Sequence, residues 1–346
     1  MKKGIQSVLV AAVVMTASAC STVGVIVPVT KPAEINLKGK NEIIVNDIVP
    51  ANPANPHLVQ GGQILADMVR ERLAESNFTI IDRNHLGSVM MELQLGASDL
   101  ASPEGQAKLG KLMTGSVMVS GRMDNYEAGS DVTAEKRKCT RYEDGQEIVY
   151  PCVVYTRKAF SNVRASFNVI DIQSAQNLKT KVLTCKNTAS TQATDAEPDD
   201  IDLDALREEC ALKVAADFAK VIAPWTQRVE AFFQKDGSLP TLEIGIKYAQ
   251  AGDWNSAIAN FQKAIDESAS NPDIKVKAAG KAYWNMGLAL EFTGKFDEAA
   301  KHVKKAYELT NDGDYLSELD NIKRMKADQA KLDQQLQDAG SSPAQQ

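Results

Sequence analysis

The chain has 346 residues, 44% hydrophobic and 24% charged, with a formal net charge of −6. That length and apolar content suit two or three domains with cores of their own. The acidic balance argues against nucleic acid as a partner, and past the N-terminus no apolar run is long enough for a membrane helix.

The N-terminus bears on location. Lys2 and Lys3 precede an apolar run from Val8 to Met15, and Thr16-Ala17-Ser18-Ala19 brings small residues up to Cys20. The run is too short to span a bilayer, and this order is that of a secretory signal over residues 1–19. "TASAC" resembles the bacterial lipobox, with Ala17 where leucine is usual. Ala17-Ser18-Ala19 is also an ordinary cleavage site, and either reading exports the chain. The five cysteines are an odd number, whereas exported chains oxidise theirs in pairs. Lipid on Cys20 leaves Cys139, Cys152, Cys185 and Cys210. Three connectivities are open, and locality favours Cys139–Cys152 with Cys185–Cys210. A zinc site fits poorly, because tight C-x-x-C spacing is absent and the histidines lie far off. Losing residues 1–19 removes two lysines, leaving 37 basic against 45 acidic residues and a net charge of −8. By resemblance to other lipoproteins, Ser21 permits sorting to the outer membrane. The expected location is therefore that membrane's periplasmic face, with its lipid as one partner.

Residues 20–40, with Pro28 and Pro32 and no strong period, are expected to be a tether. Asn41 to Ile48 is short, apolar and β-branched, as a buried strand is. A loop with Pro50, Pro53, Pro56 and Gly61-Gly62 leads to a helix whose Ile64, Leu65, Met68, Val69 and Leu73 share one face. Phe78 to Arg83 is a second strand, Asn84 to Leu93 and Pro103 to Met113 are helical, and Ser116 to Met123 is a third strand. The order β-α-β-α-α-β defines an α/β domain, a small mixed sheet with covering helices, over residues 41–236.

At these residues the chain resembles the curli-secretion lipoprotein family (CsgG-like). Its pattern is matched by "ILADMVRERLAESNFTIIDRNHLGSVMMELQLG" and "AKLGKLMTGSVMVSGRM", with Phe78, Asp82, Arg83, Glu92, Leu95, Ala107, Leu109, Gly110, Gly115 and Gly121 in the family's places. Arg164 to Thr184 resembles its final hairpin, with Gln176 and Asn177 where glycine is usual. Asp82 and Arg83 are expected to end a strand and cap a helix. The resemblance implies an outer-membrane secretion channel, in which two insertions form hairpins that join across subunits into a barrel. The corresponding stretches here are Tyr126 to Phe160 and Cys185 to Leu203. In "TAEKRKCTRYED" one alternate set carries Lys136 and Lys138 and the other Glu135, Arg137 and Arg141. One midplane Arg or Lys costs about 2–4 kcal/mol on a barrel's lipid face, and the second insertion has no apolar alternation. A soluble hairpin fits better: Asp144-Gly145 is a turn signal, Cys139 and Cys152 flank it, and Pro151 suggests an edge. Lys136, Arg137, Lys138, Arg141, Tyr142, Tyr150 and Tyr155 give a basic, aromatic surface, either a solvated edge or a partner-binding one, with Tyr142 and Tyr150 as candidate contacts.

The run "DAEPDDIDLD" alternates acids as an EF-hand does, but Ala205 and Ala211 stand where glycine and glutamate are needed. Asp202 or Asp204 capping a helix is the ordinary explanation. That helix is expected over Asp204 to Lys235, bent at Pro224. Then Gly245, Tyr248, Gly252, Trp254, Ala257, Phe261 and Ala264 recur as Gly287, Leu290, Gly294, Phe296, Ala299, Val303 and Ala306, always 42 positions on. The units resemble tetratricopeptide (TPR) repeats. They form an all-α repeat domain over 237–338, closed by a cap helix from Asp314 to Leu336 that carries Leu316, Leu319, Ile322 and Met325. Residues 339–346 are expected to be disordered.

Function is expected on the concave helix faces, where Lys281, Trp284, Leu288 and Glu291 form one stripe that holds a segment of an envelope or secreted protein, Trp284 being either the leading contact or a residue buried against a neighbouring helix. No cofactor or metal is expected, and a homo-oligomer is compatible with the sequence. His57, His85 and His302 lie apart, and no G-x-S-x-G, H-E-x-x-H or phosphate-cradling loop is present. The expected role is non-enzymatic: a periplasmic assembly or secretion adaptor, with a curli-like channel subunit as the alternative.

Overall fold

The computed structural model describes residues 22–76, 78–81 and 116–340. The signal segment with Cys20, the stretch 82–115 with Asp82, Arg83, His85 and its expected helices, and the tail 341–346 lie outside the described residues. The chain divides into two compact units: Lys31–Trp225 with the chain from Ala330, and the residues up to Thr30 with Thr226–Gln329. The first is a mixed sheet with helices, and the second is mainly helical.

In the α/β unit the buried strand expected at Asn41 to Ile48 is β2 (Glu42–Pro50), after β1 (Thr22–Lys31). Helix α1 (Pro56–Glu75) starts at proline, whose missing N–H is no loss at a first turn, and the Asn55 side chain accepts from the His57 and Leu58 amides. It therefore absorbs Gly61-Gly62, expected in a loop. Both glycines face the sheet: a Cβ on Gly61 would lie 2.4 Å from the Tyr126 ring, and one on Gly62 2.1 Å from the Ile48 carbonyl oxygen. Strand β3 (Thr79–Ile80) comes next, then β4 (Ser116–Glu143), β5 (Gln146–Asp171), β6 (Gln176–Thr194) and α2 (Leu203–Ile222).

The sheet order is β3-β2-β4-β5-β6. β2 is parallel to β3 and β4, and the β4–β5 and β5–β6 pairs are antiparallel. Helices α1 and α2 share one core with Ile43, Val45, Val117, Val119, Val163 and Phe167, where the Phe167 and Phe218 rings stack 4.3 Å apart. Cys185 of β6 is bonded to Cys210 of α2 in that core. Asp202 caps α2, accepting from the Asp204 and Ala205 amides, the ordinary role for an acid there.

The long helix expected to Lys235 ends at Ile222. Pro224 lacks an N–H and drives the preceding residue out of the helical region, and Ala223 is extended at φ −122°, ψ 141°. Beyond it lies strand β7 (Trp225–Gln234), in which Ala231 and Phe233 are buried and Glu230 and Phe232 exposed. It pairs with β1 in a two-stranded ribbon. The stretch expected to be a tether therefore contains a strand: Val25 and Val27 point into the helical core, and Pro28 is tolerated because ribbon strands are edges.

Helices α3 (Pro240–Gln250), α4 (Trp254–Ser270), α5 (Val276–Phe292) and α6 (Phe296–Thr310) form two helical pairs, and the 42-residue spacing is repeated in space. A Cβ on Gly245 would lie 2.5 Å from Phe261, and one on Gly287 2.5 Å from Val303. Gly252 and Gly294 both sit at φ +78°, where side chains are strained. Helix α7 (Gly313–Gly340) completes the chain as described. Tyr315, Ile322 and Leu332 are its buried residues, whereas Leu316 is exposed. Ala339 and Gly340, expected in the disordered tail, end this helix.

Candidate functional site

The stripe on α5 has the helical spacing the sequence implies, but it is not open. Trp284 is 7% exposed, and Leu288 and Glu291 are each 2% exposed. The chain's own segment from Phe232 to Asp236, which is the end of β7 with Lys235 and Asp236 beyond it, fills the groove. Trp284 Nε1 donates to the Phe232 carbonyl at 3.0 Å. Asn285, fully buried, accepts from the Gln234 N–H and donates to the Gln234 carbonyl, both at 2.8 Å. Lys281 Nζ lies 2.9 Å from both the Lys235 carbonyl and the Asp236 carboxylate. Tyr315 stacks on Trp284 with centroids 4.4 Å apart and donates to Gln234 Oε1. Lys281 and Trp284 are therefore engaged by the chain's own segment, and Leu288 and Glu291 are buried within the fold. The physical reason is that β7 brings an extended segment, with unpaired backbone groups of its own, to that stripe.

Main-chain recognition dominates this contact. An amide side chain matches the N–H and C=O of one extended residue whatever that residue's side chain, as Asn285 does with Gln234. Asn285 and Tyr315 were missed in sequence. The available signal was an asparagine inside "YWNMGLAL", because asparagine is a poor interior helix residue unless its side chain has a partner. Burial pushes the Tyr315 phenol up to about 12, so it stays a donor at neutral pH. For Asp236 burial works toward a higher value, but hydrogen bonds from Ser238 and Lys281 prevail and hold the carboxyl below its usual range.

The other surface is an arm. β4, β5 and β6 run 28, 26 and 19 residues, far beyond the stretch that helices cover. β2 leaves β4 at the Pro50↔Met123 pair, and a bulge intervenes before Asn125. Bulges bend a strand and re-aim it. The stretch past Met123 reaches about 60 Å at strand rise. Along it β4 pairs only with β5, so its other edge is open among the described residues, as is the outer edge of β6.

At the tip Asp144 and Gly145 both have positive φ, +50° and +78°, the geometry of the tight hairpin turn that Asp-Gly favours. Cys139 pairs with Tyr150 and Arg137 with Cys152, so the two cysteines are diagonal neighbours on one face. They are bonded with Cα atoms 5.8 Å apart. Pro151 lies beyond the last β5–β6 pair, Val154↔Thr194, where its missing N–H costs no ladder bond on that side. Tyr142 is 74% exposed, and Tyr150 is partly covered by the Arg141 guanidinium 5.1 Å from its ring centroid. Arg137 pairs with Glu135 and Arg141 with Glu143, so two of the four basic groups expected on this surface are neutralised by neighbours on their own strand. Lys136 and Lys138 lie on the opposite face, beside Val153 and Pro151. After Asp195 the chain returns to α2 without a further strand, and Arg157 holds the return through Glu197 and Asp200.

Among the described residues no three His, Cys, Asp or Glu cluster as a metal site requires, and no helix is long and apolar enough to cross a membrane. His57 is exposed at the start of α1, and His302 stacks on Tyr283 in the helical unit. A cavity of about 480 Å³ in the α/β unit is lined by Leu37, Phe78, Ile222 and Leu336 among others.

These features define a mixed-sheet α/β unit followed in the chain by a helical region. The family profile described as curli production assembly/transport component CsgG matches residues 38–135. A domain of unknown function (DUF6340) matches residues 243–333, the helical region. No curated protein matches the chain. Among solved structures the chain is similar to lipoprotein GNA1162 from Neisseria meningitidis at 11% identity, covering 42% of this chain and 81% of that one, with a TM-score of 0.27. The LpoB C-terminal domain from Salmonella enterica is 10% identical over 42% and 83% of the two chains, TM-score 0.26. The PelC dodecamer from Paraburkholderia phytofirmans is 12% identical over 58% and 99%, TM-score 0.26. At scores this low the likeness carries nothing about function.

Proposed function

We propose that the chain is an exported envelope lipoprotein that holds other proteins together and catalyses nothing: an assembly or secretion adaptor on the periplasmic face of the outer membrane. In this reading residues 1–19 are removed, Cys20 carries lipid, and the helical pairs are TPR-type repeats. The α5 groove is occupied by the chain itself, so the contact surface is the arm. The observation that carries the proposal is its pair of open edges, β4 past Met123 and the outer side of β6. An open edge offers a row of backbone donors and acceptors to an added strand.

The channel alternative is disfavoured by the arm's strand number. β4 and β6 both run antiparallel to β5 and so parallel to each other. Copies joined edge to edge in a ring would meet in a parallel pair, whereas barrels of this kind are antiparallel throughout. Among the described residues no fourth strand follows β6: after Asp195 the chain returns to α2, held through Glu197 and Asp200 on Arg157. Charged residues on both faces of the tip add about 2–4 kcal/mol for each basic group at a bilayer midplane.

Detergent extraction, sizing and planar-bilayer recording test this reading. The adaptor predicts a monomer or small oligomer without conductance that co-purifies with a specific envelope protein. A conducting ring overturns it.

A further inference from the structure

The ribbon of β1 and β7 presents two different faces. Val25, Val27, Ala231 and Phe233 are buried against the helices of the same unit. On the outer face Ile26 is 64% exposed and Phe232 53% exposed. Gly24, Pro28, Arg228 and Glu230 share that outer face, and the Glu230 carboxylate lies over Gly24. One basic and one acidic group leave the face without net charge on a chain that is acidic as a whole. Single exposed apolar side chains are ordinary. Two on one ribbon face need a reason.

The position of β1 in the chain supplies one. The strand begins at Thr22, two positions after Cys20, and two residues span at most about 7 Å. A lipid on Cys20 would thus lie within about 7 Å of chain from a paired strand. We infer that the outer ribbon face, centred on Ile26 and Phe232, rests on the lipid surface into which Cys20 is anchored and holds the helical unit there at a fixed orientation. The inference rests on the reading of Cys20 as the lipid-bearing residue.

An anchor one strand-end away gives the face a very high effective concentration at the headgroups, so modest apolar burial suffices to keep it down. Its neutrality matters too, because an acidic face would be repelled by anionic lipid.

The test uses the full acylated chain in phosphatidylethanolamine–phosphatidylglycerol vesicles with brominated acyl chains. Phe232→Trp and, separately, Ile26→Trp add a reporter to the outer face. Tyr248→Trp, at an exposed position on α3, is the control, and the parent chain sets the background of the three native tryptophans. The expected result is a blue-shifted reporter whose emission is lost to bromine at positions 26 and 232 and kept at 248. Unquenched reporters on a chain whose Cys20 is acylated by mass spectrometry overturn the ribbon contact and leave the lipoprotein reading standing. Protection of both reporters by cross-linkable dimers, without quenching, overturns it in favour of a second copy. An unmodified Cys20 removes the lipoprotein reading itself, and the ribbon contact with it.

Discussion

The α5 groove and the β4–β5–β6 arm both carry aromatic and charged residues at spacings suited to contact, yet they end up opposite. The groove is closed by an extended piece of the same chain, read through its backbone by Asn285, Trp284 and Lys281. Among the described residues the arm has open edges on either side. The difference teaches that a correct periodicity identifies a surface that needs an occupant, not who the occupant is. Lys281, Trp284, Leu288 and Glu291 do share a stripe, and the occupant lies 45 to 52 positions away in the sequence of the same chain for the first two.

If the groove is part of the core, its occupant should behave as core. Phe233→Ala removes a fully buried ring between ribbon and helices and should destabilise the helical unit by about 3–5 kcal/mol, read from the urea midpoint of tryptophan fluorescence. A loss below about 1 kcal/mol would mean that the segment comes and goes like a ligand.

The two disulfides sharpen the contrast from the other side. Replacing Cys185 and Cys210 by alanine opens a bond in the α/β core and should cost about 3 kcal/mol in global unfolding. Replacing Cys139 and Cys152 should leave the global midpoint in place, because the tip opens locally, and should raise amide exchange near residues 137–152. Equal effects from the two pairs would contradict the picture of a tip uncoupled from the core.

Asn285→Ala strands the N–H and C=O of Gln234 and should cost about 2 kcal/mol, with faster exchange of the Gln234 amide. The smallest effect is on acidity. The depressed Asp236 carboxyl contributes stability that is fully present above its unfolded value, near about pH 4, and lost as pH falls through the lower folded value. The protection factor of the Gln234 amide, taken against the intrinsic exchange rate at each pH, should therefore fall below about pH 4, and Asp236→Asn should flatten that dependence.

Much of the architecture was legible in the sequence. The 42-residue register worked because Gly245 and Gly287 are required by the approach of Phe261 and Val303, so the same small residue had to recur. Asp144-Gly145 worked because that turn needs positive φ at both places. The ribbon was not legible. β1 contains Pro28 and so looks like a tether, and its partner β7 comes directly after a helix whose apolar pattern runs on past Pro224. Each strand is stabilised only by the other and by the helices, and that information lies about 200 residues away in sequence, beyond the reach of local periodicity. The groove's occupant was hidden for the same reason.

The most direct test places a photo-crosslinking residue in native envelopes at Tyr142 on the arm tip or at Trp284 in the groove. Adducts with another protein are expected from position 142, and only an internal link to the segment around Phe232 from position 284. Intermolecular adducts from position 284 with none from position 142 would contradict this reading.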